Sequence, residues 1–507
     1  MPVPGRSPKL LLRALLSLSS IFALSIPLLL TACGGNASST PGSSSAVKQW
    51  TWMGGSNTKN AAGVYGTLET PAASNVPGGR SGSVSWTDSS GNPWIFGGFG
   101  VDSTGTSGSL NDLWEFNPTT KEWTWISGGS TVPARYGGQS GVYGTLDTPA
   151  PSNVPGGRAA SVSWTDSSGN PWLFGGCGDD STGTFGDLND LWAFNPTTKE
   201  WTWMGGSNTV GSNGGQSGVY GTLDTPAASN VPGGRVAPVS WTDSSDNLWL
   251  FGGCGVDSAG TFGDLNDLWA FNPTTKEWTW MGGSNTTTAN GNGQPGVYGT
   301  LETPAASNVP GGRMVSVSWK DSSGNLWLFG GRGADSAGTY GYLNDLWEFN
   351  LTTKEWTWMS GSDTVPSANS GQPGVYGTLG TPAASNVPGG RNGSVSWKDS
   401  SGNFWLFGGY GIDSTGTLGG LNDLWEFNPT SKMWAWMSGS NTADTNTNGQ
   451  PGVYGTMGTP AASNVPGGRA DSVSWIDGSG NLWLLGGYGY DSTGTLGNLN
   501  DLWRYQP

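Results

Sequence analysis

The chain has 507 residues, 36 acidic against 21 basic side chains, and a net charge of −15 at neutral pH. That balance disfavours nucleic acid and anionic lipid surfaces as partners, and three Cys with no His argue against a zinc site. An aromatic fraction of 11 %, with 30 Trp, points to a large packed body despite 88 Gly.

Residues 1–33 open with Arg6, Lys9 and Arg13, continue as an apolar run and end in Leu30-Thr31-Ala32-Cys33. A basic start and a short apolar core mark an export signal rather than a spanning helix. Leu-Thr-Ala-Cys resembles the bacterial lipobox, which implies lipidation of Cys33 and a lipid anchor. By the same resemblance, Gly34 in place of Asp favours the outer membrane or cell surface. Loss of the three basic signal residues takes the net charge from −15 to −18. Residues 34–47 are rich in Gly and Ser and read as a flexible tether.

Residues 48–507 are organised by a repeat. Arg80, Arg158, Arg235, Arg313, Arg391 and Arg469 each follow Pro-Gly-Gly, at spacings of 78, 77, 78, 78 and 78 residues. Such a period signifies stacked or radial copies of one supersecondary unit. In the first copy, Gly82–Trp86 alternates as a strand, Asp88–Asn92 is a turn, and Trp94-Ile95-Phe96 runs into Gly97-Gly98. Leu113–Phe116 follows a polar loop, Asn117–Lys121 turns, and Trp123-Thr124-Trp125 is a fourth strand. No window has a helical period. Four short strands per unit with Gly and aromatic marks predict an all-β propeller.

The Gly pair after an apolar run, followed by two spaced aromatics (Trp114 and Trp123), resembles the kelch repeat, and all six copies carry it. Kelch repeats have a period nearer ~50 residues, and the excess here lies mainly between a fourth strand and the next first strand. The chain ends add a further clue. Lys48–Met53 matches a fourth strand with no preceding three, and Leu499–Trp503 is a third strand close to the terminus. The expectation is a six-bladed kelch-type propeller closed by an N-terminal strand that completes the last blade.

The kelch resemblance includes galactose-oxidase-like enzymes, whose copper site needs His. A chain without His cannot carry that chemistry. It also includes non-oxidative epimerases and mutarotases, which remain open as acid–base enzymes. Cys177 and Cys254 fall at equivalent places in neighbouring copies, too far apart for an unstrained bridge on propeller geometry, so two separate thiols are expected.

Tight first-to-second and third-to-fourth hairpins put both long connections on one face. Three recurrent sets fall there: the six Arg, expected to ring the channel mouth; Asp102, Asp180, Asp257, Asp335, Asp413 and Asp491; and Tyr65, Tyr143, Tyr220, Tyr298, Tyr376 and Tyr454. The Arg ring suits an acidic ligand held by bidentate contacts, or else is paired with the loop Asp residues. Those Asp residues are weak calcium candidates, with Asx turns as the structural reading; no other cofactor is indicated. The sixfold pattern breaks in copies two to four, at Asp179, Asp187, Asp264, Arg332, Tyr340 and Tyr342, the place to look for a single site.

The sequence thus predicts a monomeric, lipid-anchored envelope propeller that binds a carbohydrate or protein ligand on its long-loop face. A non-oxidative carbohydrate-active enzyme (epimerase, mutarotase or lyase) and a structural scaffold are the alternatives.

Overall fold

The computed structural model describes residues 48–134, 136–444 and 448–507. The signal, Cys33 and the tether lie outside the described residues. Among those described there is no helix, and the strands form seven antiparallel sheets. The first repeat contributes β2 (Arg80–Ser81), β3 (Val84–Thr87), β4 (Pro93–Val101), β5 (Ser107–Asn117) and β6 (Glu122–Ser127), preceded by β1 (Gln49–Gly54). Strands β2 and β3 both pair with β4, which pairs with β5, which pairs with β6. The predicted first strand is therefore two pieces, separated where Gly82 takes a positive φ of 65°. The third repeat is divided further, into two sheets on either side of Gly252-Gly253. These repeated sheets are the architecture of a β-propeller.

The Gly pair is required by backbone packing. Gly97 and Gly98 have φ of 64° and 96°, and a Cβ on Gly97 would lie 2.8 Å from the carbonyl oxygen of Arg158 in the next repeat. Only glycine combines that conformation with so close an approach. The same pair interrupts the register between β4 and β5, at Phe96/Gly98.

Aromatic clusters fill the spaces between neighbouring sheets. Trp86, Trp94 and Phe96 of the first repeat pack with Trp192, Phe194 and Trp201 of the second. Ile95, Trp114 and Phe116 pack in turn with Trp475, Trp483 and Leu485 of the sixth. Two hydrogen-bond series also link the repeats. Ser85 Oγ donates to Ser474 O, Ser163 to Ser85, Ser240 to Ser163, Ser318 to Ser240, Ser396 to Ser318 and Ser474 to Ser396. The backbone N–H groups of Gly82, Asp471, Gly393, Val315, Ala237 and Ala160 each donate to the next residue in that sequence, and Ala160 donates to Gly82. Both series visit every repeat once and return to their first member.

Strand β1 pairs antiparallel with the last strand, Leu496–Gln506, bringing Trp50 opposite Tyr505 and Trp52 opposite Trp503. Trp50 is 1 % exposed and sits among Phe407, Trp503 and Tyr505.

The long connections depart from the expected layout. Each also covers the edge strand of a sheet. Glu69 and Ala72 donate backbone N–H groups to Trp125 and Trp123 of β6, and Asn75 Nδ2 donates to Trp123 O. The connection before the sixth repeat does the same for β1, with Gly458 N–H on Trp52 O and Asn464 Nδ2 on Trp50 O. Half of each loop is thus a strap over an otherwise open sheet edge, which blocks edge-to-edge association, and does not elaborate the predicted ligand face.

Candidate functional site

The recurrent arginines do not ring an open mouth. Arg80 is 2 % exposed; its Nη1 and Nη2 donate to Asp112 Oδ1 and Oδ2 at 2.8 and 2.7 Å. Its remaining bonds go to the carbonyls of Gly78 and Gly97. Tyr65 OH and Trp114 Nε1 also donate to Asp112 Oδ2, at 2.6 and 2.7 Å. The node recurs at Arg158–Asp190, Arg235–Asp267, Arg313–Asp345, Arg391–Asp423 and Arg469–Asp501. Burial alone would lower the pKa of Arg80, but the Asp112 carboxylate outweighs it and raises it. All six guanidiniums and the six loop tyrosines are therefore spent inside the scaffold. This corrects the expected anion-binding ring, and the carboxylates that pair with the arginines belong to the Leu-Asn-Asp-Leu-Trp strands, not to the Asp102 set.

The Asp102 set shapes loops. Asp102 Oδ1 accepts from the N–H groups of Thr104 and Thr106 and from Thr104 Oγ1, while Oδ2 accepts from Val132 N–H. Burial would raise its pKa; the donors, Val132 foremost, lower it. Asp180, Asp257, Asp335, Asp413 and Asp491 repeat this Asx-turn geometry. Among the described residues no group of three or more His, Cys, Asp or Glu is arranged to hold a metal ion.

Against this sixfold frame one row varies. The residue after each Gly pair is Phe99, Cys177, Cys254, Arg332, Tyr410 and Tyr488 in turn. Its cross-strand partner on the third strand is Ser109, Asp187, Asp264, Tyr342, Gly420 and Asn498. The asymmetric residues picked out from sequence are thus brought together. The Arg332 guanidinium lies 5.0 Å from the Tyr340 ring and 5.5 Å from the Tyr342 ring, and its Nη2 donates to Asn369 Oδ1 at 2.8 Å. Tyr342 in turn approaches Tyr410, centroid to centroid, at 6.0 Å.

On the other side of Arg332 the row is acidic and thiol-bearing. Asp187 and Asp264 are each 2 % exposed, and the Oδ2 atom of each has no hydrogen-bond partner among the described residues. Burial pushes the Asp187 carboxyl up to about 8, partly offset by Cys177. Burial also lifts Asp264, to about 7, against the pull of Cys254, Tyr340 and Arg332. Cys177 and Cys254 are free, buried thiols packed with Val236 and Met314, and burial beside carboxylates keeps both protonated. Asp179 accompanies Cys177 electrostatically. Sequence reading missed Tyr410, Tyr488 and Tyr490, although aligning the copies column by column places the first two in the same row.

No family model matches the chain. Among solved structures it is similar to one titled "Structure of YjhT", with 15 % identity over 84 % of this chain and 95 % of that one, at a TM-score of 0.44.

Proposed function

We propose that this protein is a lipid-anchored component of a bacterial cell envelope, a closed six-bladed kelch-type propeller whose N-terminal strand completes the last blade, and that it binds carbohydrate on the variable row. Six blades and closure rest on the two hydrogen-bond series that return to their start, the cluster joining first and last repeats, and the pairing of β1 with the final strand. The binding reading rests on one observation. Six nearly identical units differ along the row that runs from Asp187 past Cys254 and Asp264 to Arg332, Tyr340 and Tyr342. Aromatic faces with a few convergent polar groups suit a sugar ring.

A glycan array probed with the intact protein, with and without calcium, tests this. Retained glycans should be lost in Arg332→Ala/Tyr342→Ala and kept in Lys121→Ala, which lies in the opposite hairpin. An array profile insensitive to the row variants refutes the assignment.

A second reading is acid–base catalysis on a sugar. It is favoured by the two buried carboxyls raised to about 8 and about 7, which hold protons near neutral pH and can donate them. Turnover lost in Asp187→Asn or Asp264→Asn, with glycan binding retained, would separate it from simple binding.

A further inference from the structure

Resting on the reading of the variable row as a carbohydrate site, we propose that the corner built from Arg332, Tyr340, Tyr342 and Asp264 receives the carboxylate of an acidic sugar. Arg332 supplies the charge and the partly exposed Tyr340 and Tyr410 rings the stacking surface, above the buried Tyr342 and Asp264.

Six arginines are consumed by buried bidentate pairs. Four hairpin lysines reach acidic residues on the edge straps, as Lys199 does to Glu69 and Lys432 to Glu302. Arg332 has no such partner. Among the described residues it forms no salt bridge, its Nε is buried without an acceptor, and only Nη2 is engaged, by the neutral amide of Asn369. Two tyrosine rings hold the guanidinium in a fixed orientation, and the side chain remains partly exposed. A planar, oriented cation with unspent donors matches a carboxylate in geometry as well as charge.

The surroundings specify more than an anion. Buried Tyr342 packs against the partly exposed Tyr410, and the partly exposed Tyr340 and Tyr410 rings give a pyranose ring a face to lie on. Behind the corner, Asp264 is buried beside Cys254 and Tyr340, and its carboxyl feels the Arg332 charge. Such a site discriminates against analogues that leave its polar atoms unpaired.

A pH dependence follows. The groups facing the corner are Arg332, Asp264 and Tyr340, with Tyr342 and Tyr410, whose phenols burial raises, and with Asp187, Asp179 and the thiols Cys177 and Cys254 alongside. The thiols and Tyr340 stay neutral because burial raises them. Below about 7 Asp264 keeps its proton, as Asp187 does below about 8, and Arg332 dominates the corner. As pH rises through these values both ionise, Arg332 gains an internal counter-charge, and an acidic ligand is repelled.

The test is calorimetric titration of the intact detergent-solubilised protein with a panel of hexuronates, their neutral parent hexoses, and inorganic sulfate. The expected result is hexuronate binding at least about tenfold tighter than hexose or sulfate, weakened about tenfold or more by Arg332→Ala. Affinity should also fall from about pH 6 to about pH 9. Arg332→Lys should recover only part of the affinity, because it keeps the charge without the fork. Sulfate binding as tightly as any hexuronate would overturn the sugar assignment. Hexoses binding as well as hexuronates, with no effect of Arg332→Ala, would overturn the inference while leaving carbohydrate binding standing. Absence of binding by every saccharide, here and on the array, would overturn both.

Discussion

Arg313→Ala will destabilise the protein, whereas Arg332→Ala will not, although both remove a guanidinium from the same repeat. Arg313 is 1 % exposed and bonds both oxygens of Asp345 at 2.7 Å, with further bonds to the carbonyls of Gly311 and Gly330. Its removal strands a buried carboxylate supported only by Tyr298 OH and Trp347 Nε1. Leaving a buried charge without its partner costs about 3 to 5 kcal/mol. For an ordered body of roughly 460 residues the entropy of unfolding is about 1 kcal/mol/K, so the melting temperature should drop by about 3 to 5 °C. Arg332 is partly exposed, and at about pH 6, where Asp264 keeps its proton, Arg332→Ala strands no buried charge and should melt within about 1 °C of wild type. Circular dichroism melts of the two variants decide the matter. An Arg313→Ala protein that melts like wild type would refute the node as a source of stability and reopen the arginines as ligand groups.

Other perturbations probe other parts of the account. Deleting residues 48–54 removes β1 and the buried Trp50, whose area alone is worth about 4 kcal/mol as an upper value; the melting temperature should fall clearly, and an unchanged melt would contradict closure by this strand. Asp187→Asn should change stability in a pH-dependent way. A carboxyl raised to about 8 by burial stabilises the fold fully below the ordinary Asp value and loses that contribution as pH climbs towards 8. The variant should therefore gain on wild type between about pH 4 and about pH 8, and parallel melting curves against pH would show that the group is not buried as described. Cys33→Ser should release the protein from membranes, and mass spectrometry of the wild-type N-terminal peptide without acyl groups would refute the anchor. Lys199→Ala removes a half-exposed pair with Glu69 at 3.4 Å and should alter stability by less than about 0.5 kcal/mol, a melt shifted as far as that of Arg313→Ala being the contrary result.

Much of the fold was legible because it repeats. The Gly pairs, the turn clusters and the Trp-x-Trp strands each recur six times, so local signals too weak singly became a pattern. The split fourth strand at Lys48–Met53 was legible for the same reason. What escaped was carried by long-range partners. Nothing near Arg80 in sequence shows that Asp112 and Tyr65 converge on it in the interior. The edge straps act largely through backbone groups of residues such as Glu69 and Ala72, which leave no side-chain signature. The asymmetric site was half legible. Arg332, Tyr340, Tyr342, Asp187 and Asp264 stood out as departures from the repeat, whereas Tyr410 and Tyr488 sat in a column that had to be read across copies. Burial of the two carboxylates, which sets their protonation, depends on neighbours in adjacent sheets and could not be read from spacing.

The central claim, that ligand binds where the repeats differ, is tested most directly by hydrogen exchange of the protein with and without its best-retained glycan. Protection should appear in Leu326–Ala334, Tyr340–Asn350 and Phe404–Ile412, the strands that carry Arg332, Tyr340, Tyr342 and Tyr410. Protection confined to the opposite hairpins around Lys121, Lys199 and Lys276 would contradict it.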